Sequence, residues 1–564
     1  MRINSIIGYS IPSIGKNTNA KYINYQKIQG LKSDTVSFSS ILDKKKNVNV
    51  NMDIAMQVAN SLSKSTSGHR APYGGKTFNR DVVRLITLAT AEYAKDEASK
   101  NNKLPTVLIG GDTRKATRES LPLISDTLLK QNVNVLYIKE PMPSPLIAMT
   151  AKDLGADITI LMTASHNPWS DGGYNFLTKD GAVAPAEITQ KISDNILSIA
   201  QKGIYSEVRN SSAKEVEIHP IESYASAIEN MNLINWDKIR NSNILISYDG
   251  LDGTGSYVLP EMLRNHEIHF NQIHSSGQEG PNPTSENLIE LKKLVVETDD
   301  NELKIGLAND GDADRFGIID ENGNFITPND VLLLVSYHLA KNKGITGTII
   351  RSQATTKELD SVAQLYGFDI KETPVGFKFI GDDILKLREQ GSDILIAGEE
   401  SGGLTINGHI PEKDGVLADL LILDLIATEQ KPISKILEDV KSELPNYISI
   451  SHFSKKYPTD DDKQCIMDRF NDIYKEAQKG NINFDSDYTI DIEKTNEQQK
   501  LMKQYKKQGD GVKLYLTDGS TILVRKSGTE PLLRCYIEAS GNTKQDAQEN
   551  KMKLQEIMDG IFTL

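Results

Sequence analysis

Three times in this chain a short apolar run breaks into a small polar loop. Ile158–Met162 runs into T-A-S-H-N-P at 163–168, Ile305–Ala308 into N-D-G-D-A-D-R at 309–315, and Ile394–Ala397 into G-E-E-S-G-G at 398–403. Runs this short and rich in Ile read as buried strands, and in layered α/β sheets ligands bind just beyond the carboxyl ends of strands. Three such ends imply three similar α/β layers around one cleft. Amphipathic helices alternate with the strands as that arrangement requires: Asp81–Glu97, Arg118–Gln131 and Pro145–Leu154 read as helices, Val107–Gly111 and Val133–Ile138 as strands. Identity between the three segments is too low to claim a repeat from the letters.

The pattern changes near residue 440. Lys463–Gln478 and Asn542–Asp559 read as helices, Val512–Leu516 and Thr521–Arg525 as strands, with R-K-S-G-T-E-P at 525–531 between strands. This is a separate α+β unit. At the other end, residues 1–60 carry eight Lys/Arg against three Asp/Glu and no sustained period, and read as a flexible leader with a short helix near Met52–Ser63. The expected division is a leader at 1–60, then domains at 61–218, 219–323, 324–440 and 441–564. A chain of 564 residues is long enough for about three to five domains.

The net charge of −13 argues against a general nucleic-acid binder, and no apolar stretch is long enough to span a membrane. Two cysteines, Cys465 and Cys535, make neither a disulfide framework nor a thiolate metal site; both read as inert thiols in a reducing cytoplasm.

Each loop has its own chemistry. Ser165 offers a hydroxyl in a tight polar turn. Neighbouring residues point apart, so a Ser165–His166 hydrolase pair has poor proton-transfer geometry. A phosphorylated Ser165 is the alternative, and it would need a cation. Asp310, Asp312 and Asp314 alternate, so in an extended loop all three point to one side. Three carboxylates without His or Cys favour a hard ion, Mg²⁺ first. Arg315 where glycine is needed and Ile318 at a ligand position argue against a calcium-binding EF-hand. Glu399, Glu400 and Ser401 suit hydrogen bonding to sugar hydroxyls. Arg525, Ser527, the Gly528 amide and Thr529, with Arg534 on the next strand, suit a phosphate.

Together the four loops resemble the α-D-phosphohexomutase family, whose members carry a phosphoserine loop, a metal loop, a sugar loop and a phosphate loop in this order. The resemblance covers about residues 64–564. It extends to Thr66-Ser67-Gly68 with Arg70, to G-G-D-T-R at 110–114, to T-P-V-G-F-K at 373–378 and to G-H-I-P-E-K-D-G at 408–415. The last two are closest to the phosphoglucomutase/phosphomannomutase branch.

The resemblance implies three mixed α/β/α layered domains plus a smaller TATA-binding-protein-like domain around a central cleft. It implies interconversion of hexose 1-phosphate and hexose 6-phosphate through a phosphoserine and a bisphosphorylated sugar. One Mg²⁺ per chain would be held by Ser165, Asp310, Asp312 and Asp314, with glucose 1,6-bisphosphate as activator. Catalytic roles would fall to Ser165, His166, Arg70, Arg315 and Lys179. Substrate contacts would come from Thr66, Ser67, Gly376, Lys378, Glu399, Ser401, Arg525, Ser527, Gly528, Thr529 and Arg534. The partners would be sugar phosphates, with no nucleic acid or membrane, and the protein a monomer or weak homodimer.

Two departures stand out. Asn175 occupies the position of a lysine that is a candidate acid/base in the family, leaving Lys179, His69, His166 or Arg70 as replacements. Gly403 stands where some bifunctional and glucosamine-specific members have His. The competing readings are a glucosamine-phosphate or pentose-phosphate mutase, a metal-dependent sugar phosphatase, and an idle sugar-phosphate-binding protein.

Overall fold

The computed structural model describes residues 44–64, 68–208, 211–275, 280–298, 303–505, 511–526 and 532–563. Thr66, Ser67, Ser527, Gly528 and Thr529 lie outside the described residues.

The similarity that the letters could not establish is explicit in the sheets. Each of the first three contains a set of three parallel strands joined by a fourth running antiparallel, in the order 2-1-3-4. These are Asn134–Tyr137, Thr106–Gly111, Ile158–Met162 and Asp171–Leu177 in the first sheet, which Glu215–Glu217 and His69–Pro72 extend at its two edges. In the second they are Phe270–Ile273, Leu245–Asp249, Lys304–Asn309 and Phe316–Ile319. In the third they are Ile370–Thr373, Thr348–Ser352, Ile394–Glu399 and Gly403–Ile406. All three polar loops are the same connection, from the third strand to the antiparallel fourth. Ligand loops beyond the carboxyl ends of parallel strands are what this topology offers. The second sheet is extended by Phe325–Ile326, so it continues past the expected domain boundary at 323.

The fourth sheet is antiparallel throughout, in the order Tyr447–Lys456, Leu532–Gly541, Thr521–Lys526, Val512–Tyr515. Helices Asp460–Gln478 and Lys544–Ile561 each start in a capping box, Thr459 with Asp462 and Thr543 with Asp546. Leu514, Ile522, Val524, Cys535 and Ile537 form a core with Phe470, Leu554 and Met558 from those helices. This core is separate from the apolar cluster that runs without a break through the first three domains. A helix the sequence reading missed, Ile492–Gln504, packs beside it; its largely polar sequence carries little apolar signal.

At the centre lies helix Gly415–Glu429, buried from Gly415 to Ala427. A helix apolar on all sides is an interior helix, yet this one carries acidic groups, each with partners. The N-cap Asp414 accepts from Leu417 N at 2.9 Å and from Tyr224 OH at 2.8 Å. Asp419 Oδ2 accepts from Asn309 Nδ2 at 3.0 Å, and Asp424 from Lys343 Nζ at 2.6 Å. Tyr224 and Asn309 belong to the second domain, so the helix joins the second domain to the third.

The flexible leader is corrected from residue 44 onward. Lys44–Asn47 pairs antiparallel with Ile204–Glu207. Helix Met52–Lys64 buries Ala55, Val58, Ala59 and Leu62 in the same core as Ile192 and Ile196, and Ser193 Oγ donates to Ala59 O at 3.0 Å. Those partners lie far along the chain, so a short helix read alone showed no reason to be anchored. Cys465 is exposed and Cys535 is buried.

A chain starting at Ser61 should therefore melt well below one starting at Lys44. Losing burial of Val50, Ala55, Val58 and Ala59 costs on the order of 5 kcal/mol, or about 10 °C in a unit of this size. Differential scanning calorimetry of the two chains tests this; equal melting temperatures would restore the leader as far as residue 60.

Candidate active site

Ser165 has φ 50°, a left-handed backbone that a non-glycine residue rarely adopts. Two partners hold its backbone there. Its N–H donates to Thr163 Oγ1 at 2.8 Å, and its carbonyl accepts from Arg114 Nη2 at 2.5 Å. Arg114 is fully buried, also bonds the carbonyls of Asn167 and Pro168, and is itself held by Asp112 at 3.0 Å. One guanidinium thus gathers the loop's backbone. Asn175 adds to the hold from the next strand, donating to Leu161 O at 3.2 Å and Thr163 O at 2.8 Å. That strand lies so close that a Cβ at Gly173 would meet Thr163 O at 1.8 Å.

The strained turn aims the hydroxyl. Ser165 Oγ lies 2.8 Å from Asp310 Oδ2 and 3.2 Å from His166 Nδ1. The expectation that Ser165 and His166 point apart is corrected: it holds for extended backbone, and φ 50° brings them together.

Asp310, Asp312 and Asp314 each offer a carboxylate oxygen within 4.8 Å of the other two, all buried. They converge by a turn rather than by alternation along an extended loop, another correction. Ala313 has φ 54° and its N–H bonds Asp310 O at 3.0 Å. Burial, then the charges of Asp312 and Asp314, pushes the Asp310 carboxyl well above its usual range. Burial and Asp314 push Asp312 up to about 6. Burial would raise Asp314 as well, but Lys413 and Arg315 outweigh it and hold it low. Lys413 Nζ lies 2.7 Å from Asp314 Oδ2, and Ser144 Oγ donates to Asp312 Oδ2 at 2.7 Å. Asp312 Oδ1 and Asp314 Oδ1 are buried without a hydrogen-bond partner. Orphaned carboxylate oxygens aimed into one cluster are what a divalent cation would satisfy, so the residues fit a hard metal ion.

Cations ring the cluster. The Arg315 guanidinium lies 3.8 Å from Asp314 Oδ1 while its backbone N–H donates to Asp310 Oδ1 at 3.1 Å, and Arg70 Nη1 lies 3.4 Å from Asn167 Oδ1. Arg315 above all, then burial, Arg70 and Lys413, drives the His166 imidazole far below its ordinary range, so it is neutral. Of the replacements considered for the missing lysine, Lys179 is solvent-exposed on the turn after strand Asp171–Leu177, away from the bonds just described. His69 is buried against Thr77 O at 2.6 Å. Arg114, Ser144 and Lys413 were missed as site residues. Arg114 and Lys413 stand inside stretches that carry the resemblance, but their partners come from other loops.

The third-domain loop meets this centre through the backbone, since Phe316 N–H bonds Gly402 O at 3.0 Å. Glu399 Oε1 accepts from Gly376 N–H at 2.6 Å. Burial and Glu400 push the Glu399 carboxyl up to about 7, so it can both donate and accept near neutrality. Ser401 is exposed in the same loop, and Lys378 follows Gly376 at the start of helix Phe377–Glu389. A Cβ at Gly403 would stand 2.2 Å from Lys413 Cδ; the lysine stem fills the space a larger residue would need. In the fourth domain Arg525 and Arg534 are cross-strand partners, and Arg525 Nη2 bonds Tyr536 OH at 2.9 Å. Glu400 is close enough to help raise the Tyr536 hydroxyl, after burial, which puts this face beside the loop at 398–403.

Comparison with known proteins matches four domain families in order. They are phosphoglucomutase/phosphomannomutase alpha/beta/alpha domain I over residues 61–203, domain II over 222–323, domain III over 327–443, and the C-terminal domain over 481–554. A phosphoglucomutase/phosphomannomutase of Thermococcus kodakarensis is 27% identical over 446 residues, 78% of this chain and 87% of its own length. A phosphoglucosamine mutase of Carboxydothermus hydrogenoformans is 24% identical, covering 82% and 93%. In fold, the open form of the Paramecium phosphoglucomutase pp63/parafusin superposes with a TM-score of 0.73 at 21% identity, covering 92% of this chain and 97% of that one.

Metal binding should require the raised carboxyls to give up protons. Mg²⁺ affinity measured by calorimetry is expected to fall by about tenfold or more per pH unit below 6, and saturating Mg²⁺ should raise the thermal midpoint at pH 7. Affinity that stays flat from pH 8 to 5 would show that these carboxylates are not the ligands.

Proposed function

We propose a substrate class and a division of labour for a chain that belongs to the α-D-phosphohexomutase family and is a phosphosugar mutase, an isomerase. The reaction is the interconversion of hexose 1-phosphate and hexose 6-phosphate of glucose or mannose, by way of phospho-Ser165 and a bisphosphorylated sugar. The carrying observation is Ser165 Oγ at 2.8 Å from Asp310 within a three-carboxylate cluster. A divalent ion held by Asp310, Asp312, Asp314 and the Ser165 oxygen, Mg²⁺ by the hardness of the donors, supplies charge neutralisation at the phosphoryl group.

The chain's own residues do the rest. Arg114 and Asn175 hold the Ser165 turn. The phosphoryl group passes from Oγ to the free sugar hydroxyl: the P–Oγ bond breaks, a P–O bond to the sugar forms, and the proton lost by the sugar hydroxyl is balanced by one returned to Oγ. His166, neutral and 3.2 Å from Oγ, sits on the serine side of the transfer, placed to take the Ser165 proton when that hydroxyl is phosphorylated again. Its basicity rises when a phosphate dianion offsets the surrounding cations. Arg70, Arg315 and Lys413 neutralise the transferring charge. Glu399, Gly376, Lys378 and Ser401 hold sugar hydroxyls, and Arg525 and Arg534 hold the distal phosphate. The bisphosphate then turns over and returns its other phosphate to Ser165, which is why traces of glucose 1,6-bisphosphate would activate the enzyme.

The glucose/mannose assignment draws on T-P-V-G-F-K at 373–378 and G-H-I-P-E-K-D-G at 408–415, the stretches closest to the phosphoglucomutase/phosphomannomutase branch. Two free cysteines favour a reducing, cytoplasmic setting.

Purified protein with Mg²⁺, a trace of glucose 1,6-bisphosphate and a panel of sugar 1-phosphates tests the reading. Glucose and mannose 1-phosphates should turn over, with a phosphorylated mass that Ser165→Ala abolishes along with nearly all activity. Release of inorganic phosphate instead would make the protein a phosphatase. Arg525→Ala should raise KM by about tenfold or more, as loss of a charge-assisted bond costs about 1.5–3 kcal/mol. Phosphorylation of Ser165 should persist in that variant; its loss with KM unchanged would move Arg525 to the reacting centre.

A further inference from the structure

Glu372 is the next-to-last residue of strand Ile370–Thr373, which runs directly into the loop that carries Gly376. Its Oε2 collects donors from two domains. Arg351 Nη1 approaches to 2.5 Å from the neighbouring strand, while Lys513 Nζ at 2.9 Å and Tyr515 OH at 3.4 Å come from the fourth domain. Lys513 Nζ makes a second bond, to Gln353 O at 2.8 Å, and Arg351 grips Asp360 through two bonds of 2.7 and 2.8 Å. Lys513 is 1% exposed, an unusual position for a lysine. Burial alone would raise the Glu372 carboxyl; Lys513 and Arg351 outweigh it and hold it down to about 2, so the pair is ionised throughout the working range.

Both ends of this ion pair lead to groups that meet substrate in the reading above. On one side Gly376 follows in the same loop and donates to Glu399 at 2.6 Å. On the other, Lys513 is the cross-strand partner of Leu523, and Arg525 lies two residues further along that strand, on the same face. That face, opposite the helix-covered core, also carries Arg534, Tyr536 and Glu538, and Glu538 Oε1 accepts from Lys357 N–H at 3.0 Å. The sheet that holds Arg525 is therefore set against the third domain chiefly through polar contacts, of which the Lys513–Glu372 pair is the most buried.

We propose that Lys513 is a positioning residue for the mutase reaction: by pairing with Glu372 it fixes the span between the sugar loop at Gly376 and Glu399 and the distal-phosphate group Arg525. A substrate held at both ends needs that span correct to a fraction of an ångström, because binding energy from the remote phosphate is useful only when the reacting hydroxyl is in place. A buried ion pair is a poor source of net stability, since desolvation offsets most of the attraction, but it fixes register across an interface. This proposal rests on the assignment of Arg525 to the distal phosphate.

The test is a double-mutant cycle in the full-length, Mg²⁺-loaded protein, with Lys513→Met and Arg525→Ala singly and together. If Lys513 acts through Arg525, Lys513→Met raises KM for glucose 1-phosphate about tenfold in the native background but less than about twofold in the Arg525→Ala background. Lys513→Arg, which keeps the charge, should recover most of the loss. Glu372→Gln should repeat the non-additive pattern, and it stands in for Lys513→Met if that variant does not fold. Equal factors in both backgrounds, or an unchanged KM in a variant with native thermal melting, would overturn the proposal. If Arg525→Ala alone leaves KM unchanged, the phosphate assignment fails first and the proposal falls with it; a raised KM there with additive Lys513 effects would sink the proposal alone.

Discussion

Three carboxylates cannot be buried within 4.8 Å of one another unless positive charge and hydrogen-bond donors are brought to them. The loop that carries them does not supply enough. Arg315 is local, but Ser144 and the Ser165 hydroxyl come from the first domain and Lys413 from the third. The acidic loop of the second domain is therefore the point on which the other two converge, and the cleft follows from that convergence. The same electrostatics explain the neutral His166: the cations assembled around the carboxylates leave no room for another positive charge beside Ser165.

Much of this was legible in the letters, for a specific reason. Strands that end in functional loops carry two signals at once, an apolar run and an abrupt change to small polar residues, so the loops at Ser165, Asp310 and Glu399 could be placed on strand ends and their chemistry read. The common origin of the loops in one topological connection was not legible. Hydrogen-bond partners between strands leave little trace when the side chains differ.

What the sequence hid falls into two kinds. One is backbone conformation: the left-handed turn at Ser165 reverses the expectation that Ser165 and His166 point apart, and the turn at Ala313 does for the aspartates what an extended loop was expected to do. The other is long-range partnership. Lys413 is one lysine among many until it is seen against Asp314, and its stem also explains why position 403 is glycine. From the sequence, helix Met52–Lys64 reads as part of a flexible leader because the helix it packs on, Ala186–Lys202, lies far down the chain. Arg114 sat in a stretch recognised as belonging to the family, yet nothing local announced that its guanidinium would bind the carbonyls of another loop.

The apolar cluster that runs through the first three domains, with the fully buried helix Gly415–Glu429 inside it, has a consequence for cooperativity. No one of those domains can lose its structure without opening the interior of its neighbours, so they form a single unfolding unit despite their separate sheets. The fourth domain keeps its own interior and meets the rest chiefly through polar groups, with the Phe379–Tyr505 ring contact beside them. Heat or denaturant acts on two units of very different size, and a single two-state fit would misstate the free energy of both.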